Sequence, residues 1–95
     1  MRRSRFVATI KPTQTEQEAA DFVEAVSDEF STASHNVYAY RVGLGVLRER
    51  YSDDGEPSGT AGPPVLEVLK QRELLNVAVV VTRFFGGTKL GAGGL

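Results

Sequence analysis

The segment Asp53-Asp54-Gly55-Glu56-Pro57-Ser58-Gly59-Thr60-Ala61-Gly62 sets three carboxylates among three glycines. Oxygen donors at that density suit a hard cation such as calcium or magnesium. The spacing of a calcium loop is not met, because the acids do not alternate and the closing position holds Pro64 where a glutamate belongs. A solvated turn is the bland alternative, with glycines permitting backbone shapes closed to other residues. A third reading, which we favour, turns the carboxylates onto backbone N–H groups so that they pin the loop. No metal is assigned on that reading.

A second glycine-rich stretch closes the chain: Arg83-Phe84-Phe85-Gly86-Gly87-Thr88-Lys89-Leu90-Gly91-Ala92-Gly93-Gly94-Leu95. Exposed backbone N–H groups with Arg83 and Lys89 could hold an anion. Neither the phosphate-loop pattern nor the dinucleotide fingerprint is met, since Gly91 is followed by Ala92 and the stretch stops too soon. The glycines equally suit close packing of two loops. Phe84-Phe85 beside Arg83 offers a stacking platform for bases or, as readily, the edge of a core. Nucleophilic chemistry has less support. Ser58 sits one place too late for a nucleophile elbow, and His35, the one histidine, has no evident partner.

These segments must be held by regular elements. Phe6, Ala8 and Ile10 alternate, which predicts a half-buried strand ended by Lys11-Pro12. Thr15-Glu16-Gln17-Glu18 has capping-box spacing, and Ala19, Phe22, Val23, Val26 and Phe30 then mark one apolar helical stripe. Residues 37–42 and 46–51 read as a hairpin around Gly43-Leu44-Gly45. Pro63-Pro64 opens a second helix whose Val65, Leu66, Val68, Leu69 and Leu75 are expected to face inward, and Asn76 ends it. Residues 77–82 are apolar without alternation, the pattern of a central strand covered on both faces.

Ninety-five residues allow one domain with a modest core. No apolar run is long enough for a membrane span, and no signal core follows the basic N-terminus. The absence of cysteine excludes disulfides, thiolate catalysis and cysteine-bound zinc, and a cytoplasmic protein is the simplest reading. A net charge of −1 excludes recognition of nucleic acid by bulk positive charge; any such site must be a patch.

Arg3-Ser4-Arg5-Phe6, the stretch from Ala33 to Arg41 (Ala-Ser-His-Asn-Val-Tyr-Ala-Tyr-Arg) and the two glycine loops occur together and in order. In this they resemble the N-terminal domain of the Impact/YigZ family across nearly the whole chain. The His35 to Arg41 stretch is similar to the eukaryotic form and the glycine loops to the bacterial one. The resemblance implies an α+β fold, a two-layer sheet with helices on one face, like the second domain of ribosomal protein S-five. It also implies that an edge strand ahead of Arg3 and a helix after Leu95 are missing from this chain. The second, ferredoxin-like domain of bacterial relatives is missing as well.

Eukaryotic members are translational regulators that compete for a ribosome-associated activator of the amino-acid-starvation kinase, which links the family to stress response. The resemblance thus points to a cytoplasmic, non-enzymatic binding module contacting RNA or a translation-associated protein through the two loops. The binding residues expected are Asp54, Gly55, Glu56, Gly59, Thr60, Gly62, Arg83, Phe84, Gly86, Gly87, Lys89, Gly91, Gly93 and Gly94. No catalytic residue, cofactor or membrane partner is assigned, and oligomeric state is left open. The alternative is an enzyme acting on a phosphorylated or otherwise anionic small molecule at the same loops. The fold is shared with small-molecule kinases as well as RNA-contacting domains, so it does not choose between them.

Overall fold

The computed structural model describes residues 3–43 and 45–86. The elements are strand β1 (Arg3–Pro12), helix α1 (Glu16–Glu29), strands β2 (His35–Val42) and β3 (Arg48–Ser52), helix α2 (Gly62–Gln71) and strand β4 (Val77–Gly86). They build one four-stranded sheet in the order β1-β4-β2-β3, with every neighbouring pair antiparallel. The α+β class is as expected, and β4 is indeed interior to the sheet.

Helix α1 starts where the sequence places it. The Thr15 hydroxyl accepts from the Glu18 N–H at 3.1 Å. The Glu18 carboxylate reaches back one residue further than the usual box, accepting from the Gln14 N–H at 2.7 Å. Ala19 and Val26 are the buried members of the stripe, while Phe22 is only partly buried. The Tyr40 hydroxyl donates to Glu16 at 3.0 Å, tying the first helical turn to β2. Burial, followed by that bond to a carboxylate, raises the Tyr40 phenol above its ordinary range.

The helices do not share a face, and this corrects the two-layer expectation. Strand register pairs Tyr40 with Ala78 and Ala39 with Val79, and residues paired across strands point to the same side. Ala19 of α1 packs with Tyr40, Val42 and Ala78. Leu69 of α2 packs with Ala39 and Val79, flanked by Val65, Leu66, Val77 and Val81. The helices therefore cover opposite faces of the sheet. That placement accounts for the unalternating run in β4, where Ala78, Val79 and Val80 are buried in succession.

Helix α2 rests chiefly on β2 and β3. Gly62 is needed at its start, because a Cβ there would lie 2.6 Å from the Tyr51 ring and 3.0 Å from the Ser52 carbonyl. Two residues expected to face inward do not: Val68 is 52% and Leu75 48% exposed. The helix ends at Gln71, so Leu75 falls beyond its apolar stripe. On the α2 side of the sheet, β1 also departs from the half-buried expectation. Phe6 is 61% and Ile10 64% exposed, because α2 stands chiefly over β2 and β3, away from this edge strand. Asn76 ends the connection at positive φ, its side chain accepting from the Gly43 N–H and its carbonyl from the Thr13 N–H, each at 3.0 Å.

Candidate functional site

The acidic loop, residues 53–62, is fixed by its own carboxylates, each turned to a different partner. Asp53 accepts from the N–H groups of Gly59 at 2.9 Å, Ala61 at 3.0 Å and Gly62 at 2.7 Å. Two of these donors lie at the start of α2, whose N-cap, Ala61, has no side chain able to cap it. The bonds from Gly59 and Gly62, and then Ala61, hold the Asp53 carboxyl below its ordinary range. Asp54 accepts from the Asn36 N–H at the entry of β2. Glu56 turns to Arg83 of β4, whose Nη1 lies 2.8 Å from both carboxylate oxygens. The three acids thus diverge, and among the described residues no group of three His, Cys, Asp or Glu side chains could hold a metal ion.

His35 completes this corner, and sequence reasoning missed it. Its Nδ1 lies 2.7 Å from the Asp54 carbonyl; a carbonyl only accepts, so Nδ1 carries the proton in this contact. Its Nε2 lies 3.9 Å from Glu56. Gly55 lies against the ring: its φ is +89°, and a Cβ would come within 3.2 Å of the imidazole. The neighbouring Asn36 is buried and accepts from the Thr82 hydroxyl at 2.7 Å while donating to the Phe30 carbonyl at 3.3 Å. The signal available in the sequence was topological. His35 pairs with Arg83 across β2 and β4, so a loop that reaches Arg83 also reaches His35.

The acidic loop and Arg83 meet at one end of the sheet, as the connectivity predicts. Beside the Glu56–Arg83 pair lies a cleft of about 460 Å³, lined by Phe6, Val37, Val65 and Val81 together with Pro57, Thr60 and Ala61. Of the expected binding residues, Glu56, Thr60 and Arg83 reach this cleft. Asp54 and Gly55 stand behind its wall against Asn36 and His35, and Gly59 and Gly62 give their N–H groups to Asp53. Phe84 does not join them. Successive strand residues point to opposite faces, and Phe84 lies on the α1 side, its ring edge-on to Phe30 at 6.1 Å and its face 4.6 Å from the Arg5 guanidinium carbon. Gly86 is the last residue of β4. Gly87, Lys89, Gly91, Gly93 and Gly94 lie outside the described residues. No helix among the described residues is long and apolar enough to cross a membrane.

The family model of the Impact N-terminal domain matches residues 2–95. An Impact family member from Bacillus subtilis, YvyE, is 50% identical over 93 residues, covering 98% of this chain and 43% of that protein. The Escherichia coli member YigZ is 38% identical over 97 residues, covering all of this chain and 48% of that protein. A crystal structure of a protein described as hypothetical superposes with a TM-score of 0.82 at 38% identity, over 93% of this chain and 44% of that one. The chain therefore spans about half the length of these relatives.

Proposed function

The chain belongs to the Impact family, matching its N-terminal domain, and from that premise we propose a non-enzymatic binding module linked to translation. It takes a segment of a translation-associated protein in the cleft between the acidic loop and β1. The observation that carries this reading is the cleft's composition: the apolar side chains of Phe6, Val37, Val65 and Val81 share its lining with the ion-paired Glu56 and Arg83. An interface of that kind suits an apolar anchor ringed by polar contacts. RNA asks for a net positive groove, and Asp53 and Asp54 add negative charge close by. The Phe6 ring, largely exposed at the cleft's edge, supplies the aromatic contact surface.

The test is affinity capture from cell extract with the whole chain as bait, with and without ribonuclease, comparing the parent with Phe6→Asp. Translation-associated proteins retained after ribonuclease by the parent and lost by the variant support the reading. Retention that disappears with ribonuclease assigns the surface to RNA instead. One observation favours the enzyme alternative, on an anionic small molecule. The Nδ1–H of His35 is held by the Asp54 carbonyl, which leaves Nε2 as the lone-pair nitrogen of the ring, the form a general base uses.

A further inference from the structure

Strand β3 is an outer strand of the sheet, paired on one side with β2 and on the other with no described strand. Residues 48–51 are all exposed. Residues paired across strands share a side, and the register sorts these by charge. Arg48 and Arg50 pair with Val42 and Tyr40 and lie on the α1 side, about 7 Å apart along the strand. Glu49 and Tyr51 pair with Arg41 and Ala39 and lie on the α2 side. Glu49 is committed to Arg41 at 2.8 Å. The guanidinium groups of Arg48 and Arg50 form no ion pair or hydrogen bond among the described residues. Two acids of α1 line clefts beside them, Glu24 with Arg50 and Glu16 with Arg48. Neither closes on an arginine, and Glu16 is turned to the Tyr40 hydroxyl.

A bare strand edge offers a row of backbone donors and acceptors to another strand, and the side chains decide which strand is admitted. A second copy of β3 is refused. Antiparallel pairing centred on Glu49 sets that residue against itself and Arg48 against Arg50 twice. Centring on Arg50 sets that residue against its own copy. Like charges directly opposite are destabilising. We propose that the outer edge of β3 takes up an extended, acidic segment of a partner polypeptide as an additional strand, with carboxylates at alternate positions facing Arg48 and Arg50. Main-chain hydrogen bonds supply the attachment, and the alternate side chains supply the selection. Between the carboxylates the segment carries a neutral residue opposite Glu49. At its ends it carries apolar residues opposite Tyr51 and Leu47, both exposed. This goes beyond the cleft reading and does not rest on it, since β1 and β3 are opposite outer strands of the sheet.

The probe is the blocked peptide acetyl-Val-Glu-Thr-Glu-Val-amide, titrated into the whole chain and followed by NMR. Its control is the same peptide with both glutamates replaced by lysine. The parent is expected to bind the glutamate peptide about tenfold tighter than the lysine peptide. Arg48→Glu combined with Arg50→Glu is expected to reverse that preference. In the parent, saturation with the glutamate peptide is expected to slow hydrogen exchange at alternate backbone N–H groups within residues 48–52. Ionic contact without strand addition would leave that exchange unchanged. Equal affinity of the parent for the two peptides, a preference unreversed in the double variant, or unslowed exchange overturns the proposal. The parent's peptide preference and its exchange rates need no variant to fold. Partner capture through the cleft is a separate readout, so either reading can fail while the other stands.

Discussion

Glu56 and Arg83, 27 residues apart in the chain, meet at 2.8 Å and join the acidic loop to the central strand. The pair is partly shielded from solvent, so it is expected to count for more than a surface ion pair. A double-mutant cycle with Glu56→Gln and Arg83→Gln is predicted to give a coupling of about 1–2 kcal/mol by urea unfolding. Strict additivity would mean that the contact does not tie the loop down.

Asp53 is the other fastener, and its effect has a definite pH sign. Its carboxyl is held below the ordinary aspartate range by bonds from Gly59, Gly62 and Ala61. Such a group binds its proton more readily in the unfolded chain, so its stabilisation is complete above the unfolded value of 3.8 and is lost as pH falls through the folded one. Asp53→Asn is therefore expected to lower the unfolding midpoint at pH 7. The gap between variant and parent should narrow below pH 4. A gap that stays constant from pH 7 to pH 2.5 would contradict this assignment.

Much of this arrangement is legible in the sequence, and the illegible parts have physical reasons. The Thr15 cap and the apolar stripe mark α1, and Pro63-Pro64 marks the start of α2, because both signals lie within a turn or two of the residues they control. A stripe reveals that a helix has a buried side, not which face of the sheet it meets. The continuous apolar run in β4 carried that information, since only cover on both faces removes alternation. Likewise, the alternation of Phe6, Ala8 and Ile10 gives one side of a strand without saying what lies over it. The loop-pinning role of the carboxylates follows from residue type. That Asp53 caps a helix beginning nine residues later, and that His35 stands behind Gly55, depends on tertiary closure.

The two sides of α2 give a direct check on the corrected packing. Leu69 is 3% exposed against Ala39 and Val79, and Leu69→Ala is expected to cost about 2–5 kcal/mol. Val68 faces outward, and Val68→Ala should change stability by about 0.5 kcal/mol at most. Comparable losses at both positions in chemical denaturation would refute the orientation of α2.

Gly55 offers a test of the contact between the loop and His35. Alanine there meets both a φ of +89° and the imidazole at 3.2 Å, and is expected to destabilise by roughly 1 kcal/mol or more. Adding His35→Ala removes the steric part and leaves the backbone part, so the double variant should recover some of the loss. Full additivity of the two substitutions would show that the ring and the loop do not touch.

The proposed binding surface is the cleft beside Phe6. Its most direct measurement compares partner retention by Phe6→Asp and Ile10→Asp. Both residues are exposed on the same strand, and only Phe6 lines the cleft. Each variant is first checked for a parent-like unfolding midpoint and then used as bait in ribonuclease-treated extract. Loss of the translation-associated protein with Phe6→Asp, and its retention with Ile10→Asp, is the predicted result. Retention by Phe6→Asp at the parent level would contradict the account.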